Sequence, residues 1–269
     1  MFRIGILGAA DIAFNKFIPA LMKVEGVECA GVASNSPDKL KRFVEKYNVH
    51  VYSSYNEVIG DDSVDCVYIP LPPAFHYEWA KKALLAGKHV FLEKPSTTSA
   101  DDTKELVGIA GEKGLVVQEN YMFQFHAQLK EIENLIASGE LGKLRLVRTS
   151  FGFPRRAEGD FRYVKELGGG TMMDNGGYTI KLIDMLLGES MRLVSSQLDY
   201  DEKTGIDIFG TAEFVNDDGV IAQAAFGMDC QYQCSLELWG SRGRLTTGRI
   251  YTAPDGFKPV ALVETEAGR

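Results

Sequence analysis

The first 122 residues alternate two hydrophobic rhythms. Short continuous apolar runs occupy residues 3–7, 27–33, 64–71, 89–92 and 115–118. Between them, residues 12–23, 38–47, 75–86 and 100–113 carry apolar positions at helical spacing. Start and stop signals agree: Ser36-Pro37 precedes one helix, Ser99 with Asp101 and Asp102 another, and Gly87 and Gly114 follow two of them. Continuous apolar strands alternating with helices predict a parallel sheet covered on both faces. That is a doubly wound α/β fold, whose ligand lies at the carboxyl ends of the strands.

Beyond residue 123 the rhythm changes. An amphipathic helix over 129–138 leads into a strand at 144–152, and a second helix follows the glycines at 168–170. Strand patterns recur at 193–200, 208–215, 220–228, 231–239 and 244–251, with Asn216-Asp217-Asp218-Gly219 as a hairpin turn. Strands joined by short turns pair antiparallel. The expectation is a Rossmann domain over 1–122 and an α+β domain over 123–269 with a large, mostly antiparallel open sheet. The open face needs covering, which predicts a homodimer or homotetramer.

Composition narrows the class. The 269 residues are 45% hydrophobic and 25% charged, ordinary for a soluble globular protein. A net charge of −8 argues against a nucleic-acid surface. Cysteines 29, 66, 230 and 234 lack the clustered ligands that zinc needs, so no metal is expected. Free thiols fit a reducing compartment, and no run has the length of a membrane span. A cytoplasmic protein with neither nucleic acid nor membrane as partner is expected.

Candidate chemistry begins at the first turn, Gly8-Ala9-Ala10-Asp11-Ile12-Ala13. This is a dinucleotide fingerprint in which the first glycine survives and alanines replace the other two. Small residues there let backbone N–H groups approach a pyrophosphate at a helix N-terminus, although a tight strand–helix turn would look the same. The second strand ends in Ala33-Ser34-Asn35-Ser36, where NAD sites carry an acid for the ribose 2′-hydroxyl. Ser34 and Asn35 can donate to a 2′-phosphate and Lys39 can add charge, so NADP(H) is favoured over NAD(H). Ser34 or Ser36 would serve equally as a helix cap. Leu71-Pro72-Pro73 and Phe75 shape a rigid loop at the cofactor edge, where His76 reads as a helix-start or packing histidine.

Glu93-Lys94-Pro95 closes a central strand. An ammonium at that end can polarise a carbonyl oxygen or ease ionisation of a neighbouring hydroxyl. Glu93 can fix it, and Pro95 sets the backbone beyond, through a cis bond if one forms there. A strand-end salt bridge would read the same way. After Gly168-Gly169-Gly170, Asp174 and Tyr178 stand four apart on a helix and share a face. A carboxylate and a phenol beside a lysine form a candidate proton-transfer group. The alternative is a buried tyrosine satisfied by Asp174.

The strand–Glu-Lys-Pro and Gly-Gly-Gly-x3-Asp-x3-Tyr motifs together resemble the Gfo/Idh/MocA family of oxidoreductases. LPPAFHYEWA at 71–80, QENYMFQFH at 118–126 and IASGELGKLRLV at 136–147 agree, in order, over nearly the whole chain. The resemblance implies a Rossmann domain followed by an α+β domain, and NAD(P)-dependent hydride transfer on sugars or related alcohols. It implies Lys94 as the catalytic lysine, Asp174 as the helix aspartate, and Tyr178 where many members have histidine. Gly8, Ala9, Ala10, Asp11, Ile12, Ser34, Asn35, Lys39, Leu71, Pro72, His76, Glu93, Lys94, Pro95 and Asn120 are the implied cofactor contacts, and Arg162 and Tyr121 the substrate contacts. Arg155 and Arg156 are weaker candidates, read as readily as a solvated basic loop. The tyrosine marks a branch that includes glucose–fructose oxidoreductases, dihydrodiol dehydrogenases and sugar-nucleotide ketoreductases, and the stretch FGFPRRAEGDFRYVKELGGGTMMDNGGYT at 151–179 looks most like the sugar-nucleotide 3-ketoreductases. The expected activity is an NAD(P)H-dependent ketoreductase on a sugar or sugar nucleotide. The alternatives are a dihydrodiol- or aldose-type dehydrogenase and a non-catalytic NADP-binding regulator. Family members commonly continue past the point where Arg269 ends this chain.

Overall fold

Four mainly apolar runs form β1 (Phe2–Leu7), β2 (Val27–Ala33), β3 (Cys66–Ile69) and β4 (His89–Leu92), and the short, half-buried Val117–Glu119 forms β5. A computed structural model describes every residue except Glu189, Asp255, Ala267 and Arg269, so the chain end at Arg269 lies outside the described residues. By its internal contacts the chain divides into two units, Met1–Asn120 and Tyr121–Arg269. In the first unit all five strands are parallel, in the order β2-β1-β3-β4-β5.

Two cores explain why these strands carry no polar side. Ile4, Ile6 and Tyr68 join Ile18, Leu21 and Phe43 in one cluster, while Leu7, Val67, Ile69 and Leu92 join Leu84 and Leu106 in another. Both faces of a doubly wound sheet are buried, so the inner strands β1 and β3 read as nearly continuous apolar runs. The helices are α1 (Ile18–Leu21), α2 (Pro37–Tyr47), α3 (Tyr55–Gly60), α4 (His76–Leu85) and α5 (Ala100–Lys113). Ser99 caps α5 by accepting from the Asp102 N–H, and Gly114 ends it in a left-handed conformation.

The structure departs from the expected helices in two places. The helix predicted over 12–23 begins at Asp11 and is widened by a π turn at Ala13–Phe17 before α1. Pro19 has no N–H to close the preceding α turn, and a wider turn accommodates it. Helix α3 was not expected at all. It rests on a reciprocal cap: Ser54 accepts from the Glu57 N–H, and Glu57 reaches back to the Ser53 N–H and hydroxyl.

The second unit contains α6 (Ala127–Ser138), β6 (Leu144–Gly152), α7 (Gly177–Leu187), β7 (Arg192–Tyr200), β8 (Asp207–Val215), β9 (Ile221–Gly227), β10 (Gln233–Gly240), β11 (Gly243–Gly248) and β12 (Ala261–Thr265). The seven strands run β12-β11-β10-β6-β9-β8-β7. Every pair is antiparallel except β6 with β9, which is parallel. Strand β12 was not expected, and β11 stops at Gly248 rather than at 251. The covered face buries Val147, Phe151, Phe226, Leu236 and Leu238 against Leu129, Ile132, Leu182 and Ile183 of α6 and α7. Each such side chain contributes about 1.5–3 kcal/mol when fully buried.

The opposite face of this sheet has its own order. Glu213, Gln223, Arg148 and Glu237 stand in register across four strands. Gln223 donates to Glu213 at 2.9 Å and accepts from Arg148 at 3.0 Å, and Arg148 lies 3.5 Å from Glu237. The adjacent row is apolar: Val215, Ile221, Leu146 and Trp239. Among the described residues no helix is long and apolar enough to cross a membrane.

Candidate active site

The fingerprint turn follows β1 directly. Gly8 has φ +123°, a conformation that favours glycine, and a Cβ there would also press on the end of the Leu71 side chain, at 2.9 Å from Cδ2. The Gly8 N–H donates to the Ala33 carbonyl at 2.9 Å, which sets the turn beside the end of β2. The first N–H groups of a helix have no partner within it and attract phosphate. A turn kept bare by Gly8 and continued by Ala9 and Ala10 into such a helix fits the pyrophosphate of a dinucleotide. At the end of β2, Ser34 Oγ accepts from the Ser36 N–H, while Asn35 and Lys39 are exposed.

Polar ties fix the loops that follow β3 and β4. His76 is fully buried, with Nδ1 2.8 Å from the Pro95 carbonyl and Nε2 2.7 Å from the Leu71 carbonyl. It therefore joins the Leu71-Pro72 loop to the backbone just past Lys94 and supports both from beneath. Burial lowers its pKa below the ordinary histidine value, outweighing the two carbonyls that favour the charged ring. Glu93 accepts from the Tyr68 hydroxyl at 2.6 Å and from Asn120 Nδ2 at 2.7 Å. Burial, and the Glu93 carboxylate with it, push the Tyr68 phenol far above its usual range. The Lys94–Pro95 peptide is cis, and Lys94 is half-buried at the carboxyl end of β4.

In the second unit Asp174 and Tyr178 belong to a segment that begins irregularly. Residues Met172–Gly176 form a π turn, and Tyr178 falls in the first turn of α7. The predicted regular helix through both residues is thus widened at Asp174, and both side chains are buried. Asn175 supplies the local reason. Its Nδ2 donates to the carbonyls of Phe151 at 2.6 Å and Gly227 at 2.9 Å, and its Oδ1 accepts from the Thr171 hydroxyl. Those carbonyls lie at the ends of β6 and β9, the one parallel pair, so the turn is pinned where two strands stop together. Asp207 accepts from the Met172 N–H at 2.7 Å. Gly170, at φ +119°, has no room for a Cβ beside Asp207.

Tyr178 sits among Tyr121, Phe151 and Tyr251, with ring centroids 4.9, 5.1 and 5.7 Å away. The Tyr121 hydroxyl packs where a Cβ on Gly177 would stand. Arg162, expected toward a substrate, donates from Nε to Asp174 at 2.8 Å and from Nη1 to Asp160 at 3.1 Å. Burial opposes its charge, yet the carboxylates of Asp174 and Asp160 more than offset this and raise its pKa. Arg155 pairs with Asp201 at 2.8 Å, and the Arg156 guanidinium lies over Phe153.

The structure gathers Gly8, Ala9, Ala10, Asp11, Ile12, Leu71, Pro72, His76, Glu93, Lys94, Pro95 and Asn120 in the first unit. It gathers Tyr121, Arg162, Asp174 and Tyr178 in the second. Asn175 went unnoticed in the sequence, as did Arg42, which pairs with Asp11 of the fingerprint turn at 2.7 Å. Asn175 could have been found as an amide inside an apolar helix pattern; Arg42 lies on a helix face whose pattern says only that it is polar. Among the described residues no three His, Cys, Asp or Glu groups cluster to hold a metal ion.

Residues 2–121 match the family model of the GFO/IDH/MocA oxidoreductases, described as having an NAD-binding Rossmann fold. Residues 129–246 match that of the GFO/IDH/MocA C-terminal domain. The dTDP-3,4-didehydro-2,6-dideoxy-α-D-glucose 3-reductase of Saccharopolyspora spinosa is 37% identical over 97% of this chain and 79% of its own length. The enzyme of the same name from Streptomyces violaceoruber is 39% identical over 99% of this chain and 78% of its own. Among solved structures, KijD10, a 3-ketoreductase from Actinomadura kijaniata in complex with NADP and TDP-benzene, superposes with a TM-score of 0.95 at 36% identity. That match covers 98% of this chain and 82% of KijD10. Further structures of KijD10 carry a tyrosine changed to phenylalanine, or one lysine changed to alanine or glutamate. With both units matched in order, the chain belongs to the GFO/IDH/MocA family of oxidoreductases.

Proposed function

We propose that this chain is an NADPH-dependent ketoreductase acting on a keto-sugar carried by a nucleoside diphosphate. The observation that carries the reading is the likeness of both units, over nearly their whole length, to a 3-ketoreductase solved with NADP and TDP-benzene. A second observation supports the assignment of roles. The lysine and the tyrosine substituted in KijD10 are separated in sequence by the same number of positions as Lys94 and Tyr178 here.

When bound, NADPH supplies hydride to the carbonyl carbon. The Tyr178 phenol gives its proton to the carbonyl oxygen as that oxygen becomes an alkoxide. The Lys94 ammonium stabilises the negative charge that develops there and on the phenol. Asp174, held by Arg162, fixes the start of the helix that carries Tyr178. The fixed environments of Lys94 and Tyr178 suit this division: one is held by buried polar ties, the other by packed rings.

The test is NADPH oxidation by the purified protein against a panel of keto-sugar nucleotides, free keto-sugars, aldoses and diols. Turnover confined to the nucleotide-linked ketones is expected. Oxidation of an aldose or diol with NADP+, and no reduction of any ketone, would replace this reading by a dehydrogenase. NADPH binding without turnover would replace it by a regulator.

We extend the reading to a cytoplasmic homodimer or homotetramer. The apolar row Val215, Ile221, Leu146 and Trp239 on the open sheet face supports the assembly, with Ile221 and Trp239 about two-fifths exposed. Light scattering of an Ile221→Glu/Trp239→Glu double variant should then give a monomer; an unchanged mass would place the contact elsewhere.

A further inference from the structure

Three cations stand near the end of β2, and the structure distinguishes them. Lys39 is exposed and makes no ion pair among the described residues. Lys41 pairs only with Asp38 on its own helix, at 3.0 Å. Arg42 turns back toward the fingerprint. Its Nη2 lies 2.7 Å from Asp11 Oδ1 and 3.4 Å from the Ala9 carbonyl. Its guanidinium carbon stands 4.6 Å from the centre of the Phe14 ring, in the π turn, and 5.4 Å from that of Phe43. Its Nε is buried and has no hydrogen-bond partner among the described residues.

Arg42 therefore links α2 to the turn that the Gly8–Ala33 hydrogen bond holds beside β2. In a doubly wound fold the 2′ position of the adenosine ribose lies at the end of the second strand, where an acid selects NAD and an arginine accommodates a phosphate. A guanidinium has five N–H donors in a planar fork that matches phosphate oxygens. Asp11 and Ala9 leave donors over, and the guanidinium already rests over the Phe14 ring before any ligand arrives. Asp11 is held only weakly: its side chain is 80% exposed, and exposed pairs contribute little.

We propose that Arg42 is the coenzyme-selecting cation of this chain: it takes the 2′-phosphate of NADP(H), and Asp11 is the resident counter-ion which that phosphate displaces. The inference rests on the NADPH reading above and deepens it. It gives the two members of the pair opposite signs. Removing the guanidinium takes away the phosphate's partner and leaves a carboxylate that repels it. Removing the carboxylate's charge leaves the guanidinium free for the phosphate. Neither change touches NADH, which has a hydroxyl at that position.

The experiment is equilibrium titration of the whole protein with NADPH, NADH and adenosine 2′,5′-bisphosphate, followed by calorimetry and by coenzyme fluorescence. Arg42→Ala should weaken NADPH and the bisphosphate by ~10–100-fold, the scale of losing a charge-assisted hydrogen-bonded pair, and change NADH by about twofold or less. Arg42→Lys, which keeps the charge but not the fork, should recover part of the loss. Asp11→Asn should tighten NADPH by ~2–5-fold. Equal losses for both coenzymes in Arg42→Ala would reduce Arg42 to a brace for the turn and overturn the proposal. A selective wild type whose Arg42→Ala and Arg42→Lys variants remain as selective would overturn it too, assigning the phosphate to Ser34, Asn35 and Lys39. A wild type that binds NADPH no better than NADH would instead overturn the NADPH reading itself.

Discussion

The two units fix the side chains proposed to react, Lys94 and Tyr178, by opposite means. In the first, Lys94 leaves the end of a buried strand and its surroundings are tied by polar groups: His76 between two carbonyls, and Glu93 between Tyr68 and Asn120. In the second, Tyr178 is enclosed by rings, and the polar fixing is done one turn earlier by Asn175 and Arg162. Parallel strands end in loops, so side chains delivered there depend on loop-to-loop hydrogen bonds. A helix lying on a sheet presents its side chains directly, so packing does most of the positioning. Polar ties are sensitive to charge and pH; ring packing is sensitive to shape.

The largest effects should come from the two groups themselves. Lys94→Ala and Tyr178→Phe should each lower kcat by ~10²-fold or more, with NADPH affinity little changed, as steady-state kinetics and coenzyme titration would report. Tyr178→Phe keeps the ring, so its melting temperature should stay near the wild-type value. A Tyr178→Phe variant with full turnover would remove the phenol from the chemistry.

Next in size is the anchor of the π turn. Asn175→Leu keeps the branched side chain and its number of heavy atoms, and leaves the Phe151 and Gly227 carbonyls and the Thr171 hydroxyl without the amide. Each buried polar group left unpaired costs about 1–3 kcal/mol, so denaturant unfolding should show a loss of at least ~2 kcal/mol. Unchanged stability would mean that ring packing alone holds the helix.

Arg162 separates the two expectations held for it. As the partner of Asp174, Arg162→Met should lower kcat by roughly 10-fold with KM nearly unchanged, because it disturbs the helix that carries Tyr178. As a diphosphate contact it would raise KM and spare kcat. The two carboxylates beside its guanidinium favour the first outcome.

Legibility follows the same division. Continuous apolar runs made the parallel sheet readable, and Ser99 with Gly114 bounded α5 to the residue. Helix α3 went unread because it is six residues long and set by Ser54 and Glu57 rather than by periodicity, although Ser-x-x-Glu was there to see. The π turns at Ala13–Phe17 and Met172–Gly176 could not be read from a 3.6-residue period; Pro19 and the Gly176-Gly177 pair mark them only once the register is known. The parallel pairing of β6 with β9 is a matter of long-range register, which side-chain alternation does not encode. The motif residues proposed for the site stand out by their order along the chain. The ties that hold them do not, because Asn175 reaches the Phe151 and Gly227 carbonyls across the chain, and Arg162, read only as a substrate contact, turns instead to Asp174.

The smallest expected effect tests the polar side of the comparison. Burial depresses the His76 pKa, with Lys94 adding to it, against Glu93 and the Pro95 and Leu71 carbonyls, which raise it. The folded chain therefore holds the ring neutral at a pH where the unfolded chain, with a pKa near ~6.5, begins to bind a proton. In that window the unfolded state carries more protons, so stability rises with pH. The contribution is complete above about pH 6.5 and is lost as pH falls through the folded value. Between pH 7 and pH 5 the melting temperature of the wild type should fall more steeply than that of His76→Gln, which can still donate to a carbonyl and does not titrate. The other three histidines titrate alike in both proteins and cancel in the difference. Parallel pH profiles would mean that folding leaves the ring's pKa unchanged, and a wild type that gains on His76→Gln as pH falls would mean that the ring between Leu71 and Pro95 is charged in the folded chain, so that the loops around Lys94 are held by an ion rather than by a neutral imidazole.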